Sequence, residues 1–370
     1  MNISDLQTYF RENFTLRNEL GASLSIWRDS DEIINWGHGW RERGRSNEWI
    51  KQTIVPVYSA TKGPAAATLL YVISRSGFTI QTPVSEVWPK FPLASANFGE
   101  LLSHQCGFAG LEEAVDVYDH AAVIAAVERQ RPEWVPGEGH GYHPRTFGFL
   151  LDECVRRLEG RTLGQVWNED IATPCGIDFW IGLPQREWGR VAMLVPGRAK
   201  ASVLDKAFYE ALNTPGSITR RAFSSPRGLH AIAEMNTPRA WAVGLPAMGG
   251  VGSASGLAKF YQYAIGALDG PFSEGVRQHL AALQICGDDR VLLRETAFTG
   301  GCQKDPVDEL GSKKRLVFGS STTAFGHPGA GGSHGFGDPE SGLSFAYVMN
   351  QMELSVMPGD RCMGLVARLG

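Results

Sequence analysis

The order of strand-like and helical patterns along the chain constrains its fold most. Between residues 22 and 40, apolar positions alternate around a turn at residues 28–31, which predicts a β-hairpin. Strand-like patterns return towards the C-terminus, at residues 291–293, 316–318 and 343–349. Strands at both ends with helices between them predict an α+β fold. In this fold an antiparallel β-sheet flanked by helices joins a mainly helical second lobe.

We expect the two lobes to use separate parts of the chain. Residues 1–82 and 280–370 are predicted to form a discontinuous α/β sheet domain, and residues 83–279 a mainly helical domain. The active site is expected in the cleft between them. A first helix, capped by Ser4, is predicted at residues 3–13, and a third strand at residues 53–58. Further helices are predicted at residues 120–128, 146–159, 255–268 and 273–283.

Composition excludes several classes of partner. Apolar residues make up 43% and charged residues 20% of the chain, as in ordinary globular proteins. The net charge is −4 and no long basic block occurs, so we expect no nucleic-acid partner. The longest apolar stretch, near residues 65–73, is shorter than the roughly 20 residues of a membrane span. The first residues show no basic segment followed by an apolar one, which predicts a cytoplasmic protein without a secretory signal.

Cysteine and histidine spacing argues against metal and disulfide chemistry. The six cysteines include no C-x-x-C pair, so buried reduced thiols are expected. The nine histidines include no H-E-x-x-H or similar spacing, so we predict no metal site and no cofactor.

The segment S-A-T-K at residues 59–62 stands where a strand-like pattern gives way to a helix rich in small residues. A serine hydroxyl is a poor nucleophile until a base accepts its proton. Residues i and i+3 share a helix face, so Lys62 can reach the Ser59 hydroxyl. Burial among apolar side chains lowers the pKa of a lysine and makes it a usable base. The alternative is a chance match, with Ser59 as a helix cap and Lys62 as a solvated residue.

Two later motifs supply partners in a workable order. G-H-G-Y-H-P at residues 139–144 places Tyr142 on a glycine-flanked loop, where it can carry a proton if it is not a packing residue. F-G-H-P-G-A-G-G-S at residues 325–333 precedes the last strand. Its glycines allow close backbone approach, and a free N–H there can complete an oxyanion hole, unless the segment is a plain hairpin turn.

Together the three motifs resemble the serine β-lactamase and penicillin-binding-protein superfamily, whose signature set begins with S-x-x-K. Their order and spacing are similar to the class C branch and to the family VIII carboxylesterases. L-L-S-H-Q-C-G at residues 101–107 also resembles a stretch of that family. The resemblance implies Ser59 as nucleophile, Lys62 as its base, and Tyr142 as the tyrosine of the Y-x-N motif.

The same resemblance assigns further site residues. H-P-G at residues 327–329 matches the K-T-G motif, which makes the N–H groups of Ser59 and Ala330 the oxyanion pair. His327 and Gly329 are then expected to bind substrate. Two additional candidates for lining the substrate pocket are His143 and Trp134, with core packing as the alternative for each.

Two departures from the β-lactamase pattern shift the expected substrate. Pro144 stands where Asn is usual, and His327 replaces a lysine, exchanging a permanent cation for a group largely neutral at pH 7. In the family that cation binds the carboxylate of penicillins and D-Ala-D-Ala peptides. The resemblance therefore implies a carboxylesterase that hydrolyses small uncharged esters through an acyl-Ser59 intermediate. Alternatives are an acyltransferase, amidase or weak β-lactamase or DD-peptidase using the same site, and a non-enzymatic binding module.

A second serine motif, G-G-S-H-G at residues 331–335, fits the nucleophile elbow of α/β-hydrolases. That fold requires an acid and then a histidine after the serine, and His334 is the last histidine of the chain. We therefore expect Ser333 not to be the nucleophile.

Overall fold

The computed structural model describes residues 1–197 and 206–370 and confirms the α+β class. Part of the predicted helical domain, residues 198–205, lies outside the described residues. The strands are β1 (Gly21–Arg28), β2 (Asp31–Gly39), β3 (Val55–Pro56), β4 (Phe179–Ile181), β5 (Gly250–Gly252), β6 (Ile285–Asp288), β7 (Glu295–Phe298), β8 (Gln303–Lys304), β9 (Phe325–Pro328), β10 (His334–Asp338) and β11 (Leu343–Met349). The helices are α1 (Ile3–Leu16), α2 (Lys62–Ser76), α3 (Phe98–Leu102), α4 (His120–Arg129), α5 (Thr146–Glu159), α6 (Leu163–Val166), α7 (Lys206–Asn213), α8 (Ile218–Ser224), α9 (Ile232–Met235), α10 (Pro238–Val243), α11 (Ala254–Ile265), α12 (Glu274–Ala281) and α13 (Asp360–Val366).

Among the described residues, eight strands form one antiparallel sheet in the order β2-β1-β11-β10-β9-β8-β7-β6. The predicted hairpin β1–β2 is confirmed, and it turns through Asp29 and Ser30, whose φ angles are 48° and 76°. Strand β1 also pairs with β11, with Ala22 opposite Met349. The two ends of the chain therefore share one sheet, as their alternating patterns predict.

Helix α11 packs across β1, β10 and β11 on one face of this sheet. Glycines in β10 permit the contact: a Cβ at Gly335 would lie 2.9 Å from the side chain of Leu257, and one at Gly337 would lie 2.6 Å from that of Ile265. Helix α11 falls within the predicted helical span although it covers the sheet. The division of the chain into two lobes with the predicted boundaries stays a prediction.

Strand β3 covers only part of the predicted third strand and belongs to a separate sheet. In the described part of the chain, β3, β5 and β4 form a three-stranded sheet in the order β3-β5-β4. The backbone of β5 passes close to Phe179, since a Cβ at Gly250 would lie 2.5 Å from its ring. This small sheet leads directly into the turn that carries Ser59.

Two predicted strands are wrong for the same physical reason. Residues 291–293 form the turn between β6 and β7, and residues 316–318 also lie outside any strand. In the first segment the N–H groups of Val291 and Leu292 donate to the Asp289 carboxylate at 2.8 Å. In the second, two N–H groups donate to Asp305 at 3.1 and 3.0 Å. Buried aspartates thus accept the N–H groups that strand pairing would use.

Smaller differences concern caps and thiols. Asn2, rather than Ser4, caps α1, because its side chain accepts the N–H groups of Ser4 and Asp5. All six cysteines are unpaired, as expected, and four of them are buried, although Cys286 is exposed. No helix in the described ranges is long and apolar enough to cross a membrane.

Candidate active site

Ser59 lies on a turn of 3₁₀ helix, Tyr58–Thr61, rather than within the following α-helix, which begins at Lys62. Tyr58 has a φ of 49°, a left-handed conformation that is costly for a residue with a side chain. Strand β5 holds the turn in place: Val57 N–H donates to the Gly250 carbonyl at 3.0 Å, and Gly250 N–H donates to Thr61 Oγ1 at 2.9 Å. The strained turn presents a half-buried Ser59.

The side chain of Lys62 is fully buried. Its Nζ donates to the carbonyls of Pro144 and Ala247, each at 2.9 Å, and lies 3.3 Å from Ser59 Oγ. Burial, assisted by the charge of Arg145, holds the pKa of Lys62 well below its ordinary value. A neutral amine has two N–H groups and one lone pair, so the two carbonyls leave the lone pair for the Ser59 hydroxyl.

Arg145 supplies a positive charge beside this lysine. Its guanidinium donates to the carbonyls of Gly228 and Leu229, and within residues 1–197 and 206–370 it forms no ion pair with a carboxylate. Burial lowers the pKa of Arg145 to about 10. Because a like charge nearby disfavours an ammonium, Arg145 favours the neutral form of Lys62.

Tyr142 is buried at the inner end of the site. Lys62 Nζ lies 4.8 Å from the centroid of its ring. Burial raises the pKa of Tyr142, the neighbouring Ser59 side chain lowers it, and the charge of Asp289 adds to the rise. The phenol therefore stays protonated, and it lies where it can pass a proton between Lys62 and a substrate bound at Ser59.

His143 and His104 form a second layer behind Tyr142. Phe108 N–H donates to Nε2 of His143 at 3.0 Å, and Nδ1 of His143 donates to the Gly141 carbonyl at 2.7 Å. Burial lowers the pKa of His143 to about 3. His104 accepts the His143 N–H on Nδ1 and the Gly141 N–H on its carbonyl, each at 3.2 Å. Both histidines support the loop, and these bonds do not favour the predicted contact of His143 with substrate.

His327 lies on β9, with its ring centroid 5.9 Å from that of Tyr142. Nδ1 is 2.7 Å from the Pro328 carbonyl and Nε2 is 3.4 Å from the amide of Gln303. These partners define a neutral ring that donates from Nδ1 and accepts on Nε2. Burial, with a smaller effect of the Lys62 charge, holds the pKa of His327 well below its ordinary value. The position that matches the K-T-G lysine therefore carries no charge.

The predicted oxyanion residues lie on segments that touch. A Cβ at Gly329 would lie 2.1 Å from the Val57 carbonyl oxygen, so only glycine lets the end of β9 pass the turn that carries Ser59. Among the described residues, no backbone hydrogen bond engages the N–H of Ala330, the next residue. The N–H of Ser59 belongs to the first turn of its helix, where N–H groups lack partners within the helix.

Trp134 is buried against the loop that carries Tyr142. A Cβ at Gly141 would lie 2.7 Å from its indole ring, and that ring meets His143 edge-on at 5.8 Å. These contacts are those of a packing residue; its predicted place in the substrate pocket stays a prediction. No cluster of metal-ligating side chains occurs in the part of the chain described.

A buried lysine amine next to a serine hydroxyl on a strained turn, with a buried tyrosine beside the lysine, is the site of a serine hydrolase. A family model described as Beta-lactamase matches residues 7–361, and the chain belongs to that family. The resemblance inferred from the motifs is thereby confirmed.

Known relatives agree with this assignment. The chain is 29% identical over 364 residues to the Esterase/beta-lactamase LipL of Mycobacterium tuberculosis (strain ATCC 25618 / H37Rv), covering 93% of this chain and 80% of that protein. A penicillin-binding protein homologue from Caulobacter crescentus has a TM-score of 0.84 at 29% identity, covering 98% of this chain and 95% of that one. A family VIII carboxylesterase has a TM-score of 0.85 at 28% identity, with the same coverage.

Proposed function

We propose that the protein is a serine carboxylesterase that hydrolyses small uncharged esters through an acyl-Ser59 intermediate. The observation that carries this proposal is the placement of Lys62 Nζ, bonded to two carbonyls and 3.3 Å from Ser59 Oγ. That arrangement supports a neutral amine whose lone pair accepts the serine proton. The proposal agrees with the printed descriptions of the mycobacterial relative and of the family VIII carboxylesterase.

In acylation, Ser59 Oγ attacks the ester carbonyl carbon while its proton moves to Lys62 Nζ. The carbonyl oxygen becomes an oxyanion that accepts the N–H groups of Ser59 and Ala330. When the tetrahedral intermediate collapses, the ester C–O bond breaks. Tyr142 then relays the proton from Lys62 to the departing alkoxide, which leaves as an alcohol.

Deacylation repeats these steps with water as the nucleophile. A water molecule attacks the acyl-Ser59 carbonyl and gives one proton to Lys62 through the Tyr142 hydroxyl. Collapse breaks the bond between the acyl carbon and Ser59 Oγ, which regains its proton, and a carboxylic acid is released. Lys62 returns to its neutral form, so each turnover consumes one ester and one water.

The preference for uncharged esters follows from His327 and Pro144. The His327 ring is buried and neutral, with both nitrogens bonded to the protein, so it offers no cation to a substrate carboxylate. Pro144 has no side-chain amide, and its carbonyl is occupied by Lys62. Both features favour an ester over a penicillin-like substrate, whose carboxylate would be left without a partner.

The test compares two serine variants. Ser59→Ala is expected to lose hydrolysis of p-nitrophenyl acetate, while Ser333→Ala, a matched change at the second serine motif, is expected to keep it. Wild-type turnover of nitrocefin, a carboxylate-bearing β-lactam, is expected to be far slower than ester turnover. Full activity of Ser59→Ala, or nitrocefin turnover faster than that of the ester, would contradict the proposal.

A further inference from the structure

The carboxylate of Asp289 accepts hydrogen bonds from backbone N–H groups of two segments that are distant in sequence. Asp289 follows β6 and is only 2% exposed. The N–H of Tyr142 lies 3.1 Å from each of its oxygens. The N–H groups of Val291 and Leu292 donate to Oδ1 at 2.8 Å, and the Thr296 hydroxyl donates to Oδ2 at 3.1 Å. One buried carboxylate therefore accepts hydrogen bonds from four residues.

The backbone partners of Asp289 favour its ionised form. Thr296 Oγ1 lies 2.7 Å from Nε2 of His140. When the threonine proton goes to Asp289, Thr296 Oγ1 accepts from Nε2 of His140. The three backbone N–H groups around the carboxylate can only donate, which favours its ionised form. Burial raises the pKa of Asp289, and the N–H groups of Leu292, Tyr142 and Val291 oppose that rise.

The same hairpin holds the rest of the tyrosine loop. Arg290 N–H donates to the His140 carbonyl at 3.1 Å, two residues before Tyr142. The Tyr142 ring stacks on Phe298 of β7, with 6.2 Å between ring centroids and 5° between ring planes. Hairpin β6–β7 thus contacts both the backbone and the ring of Tyr142, and Asp289 makes the hydrogen bond to the Tyr142 N–H.

We propose that Asp289 is a positioning residue that holds Tyr142 in contact with the Ser59–Lys62 pair. The inference rests on the role of Tyr142 under the proposed function. The Asp289 charge also acts on the phenol, because it adds to burial in raising the pKa of Tyr142. Of the other groups around the tyrosine, Lys62, His104, His143 and His327 all have their pKa lowered by burial.

Asp289→Asn tests the proposal with Asp152→Asn as a matched control. An amide nitrogen cannot accept an N–H, so Asp289→Asn loses acceptor positions beneath Tyr142 and shifts the loop. We expect kcat for p-nitrophenyl acetate to fall about 10²-fold, the cost of misplacing a catalytic group by about 1 Å, with KM within twofold of wild type. Asp152 is also buried and accepts the Leu163 N–H at 2.7 Å, away from the site. Asp152→Asn should keep the wild-type kcat.

A double-mutant cycle separates positioning from general destabilisation. If Asp289 acts through Tyr142, Asp289→Asn lowers kcat in the wild-type background and has no further effect in the Tyr142→Phe background. An equal loss of kcat in both backgrounds would overturn the proposal. So would a wild-type kcat for the single variant Asp289→Asn.

Thr296→Val covers the case in which Asp289→Asn does not fold. It removes one donor to Asp289 and leaves the three backbone N–H groups in place. A several-fold loss of kcat is expected when Tyr142 is present and none in the Tyr142→Phe background. The same loss in both backgrounds contradicts the positioning role.

A fluorophosphonate probe distinguishes failure of this proposal from failure of the proposed function. In labelling, Ser59 Oγ bonds to phosphorus, fluoride leaves and the serine proton goes to Lys62, so no ester is needed. If the wild-type protein is labelled on Ser59 but hydrolyses no ester, the esterase proposal fails. The double-mutant cycle of Asp289→Asn and Tyr142→Phe is then measured with the labelling rate in place of kcat. If esters are hydrolysed and Asp289→Asn matches wild type, only the positioning role is overturned.

Discussion

The amine of Lys62 approaches the Ser59 hydroxyl to 3.3 Å from a fully buried position, and its two other neighbours are main-chain carbonyls. The short separation of the two residues in sequence brings them together, whereas the carbonyls come from Pro144 and Ala247, far along the chain. An ammonium in this place has no carboxylate partner among the described residues. The protonation state of Lys62 is therefore the quantity on which the chemistry depends.

Lys62→Ala removes the base and leaves Ser59 in place. We expect kcat for p-nitrophenyl acetate to fall by about 10²–10⁴-fold, the usual range for a proton-transfer group. Lys259→Ala, at a half-buried lysine on α11 whose Nζ donates to the Gly176 carbonyl, serves as the control and should keep the wild-type kcat. Steady-state kinetics give the comparison, and a Lys62→Ala variant within threefold of wild type would rule out this base.

Arg145→Met tests how the lysine is kept neutral. Loss of the neighbouring positive charge makes protonation of Lys62 easier and raises its pKa, so the acid limb of the kcat/KM profile should move to higher pH. Activity is present above the Lys62 pKa and is lost as the pH falls through it. Burial lowers the pKa values of the three neighbouring histidines, His104, His143 and His327, below their ordinary range.

The control for this profile is Arg156→Met, which removes an arginine that is paired with Asp152 on α5. Its acid limb should coincide with that of wild type. If Arg145→Met leaves the limb in place, the charge of Arg145 does not act on Lys62.

The sequence predicts the catalytic residues better than the residues that hold them in place. S-x-x-K is a local motif, and a helical turn alone brings Ser59 to Lys62. Tyr142 and the H-P-G segment at residues 327–329 can be found because glycines and motif order mark them. The contact between Lys62 and Tyr142, and the neutral state of His327, follow from those positions once the fold is known.

The supporting contacts leave no such signal. Asp289 is 147 residues from Tyr142 and acts on its main chain, which no motif letter records. The contact of Lys62 with the carbonyl of Ala247, 185 residues away, is likewise marked by no sequence motif. His104 is the exception, since it lies in the L-L-S-H-Q-C-G stretch. The apolar segments at residues 291–293 and 316–318 misled the strand prediction because aspartates, not neighbouring strands, bind their N–H groups.

His327→Lys tests the inferred substrate preference. A lysine at this position can pair with a substrate carboxylate through its protonated amine, and a charge-assisted hydrogen bond contributes about 1.5–3 kcal/mol, so KM for nitrocefin should fall about tenfold or more. His327→Gln, which adds no charge, should leave KM unchanged. An unchanged KM in His327→Lys would count against matching His327 with the K-T-G lysine.

Gly329→Ala tests the contact between β9 and the nucleophile turn. The added Cβ would lie 2.1 Å from the Val57 carbonyl oxygen, so the turn carrying Ser59 must shift. We expect kcat to fall about 10²-fold. Gly189→Ala, where a Cβ meets nothing within 4 Å, is the matched control and should be neutral. A wild-type kcat for Gly329→Ala would mean that this approach does not position the site.

The central claim is that Ser59 carries the acyl group. Intact-protein mass spectrometry after rapid acid quenching of a reaction with p-nitrophenyl acetate, followed by peptide mapping, measures this directly. One acetyl group per chain is predicted, on the peptide that contains Ser59, and it should be absent from Ser59→Ala and present on Ser333→Ala. An acetyl group on any other residue, or ester turnover that persists in Ser59→Ala, would contradict the account.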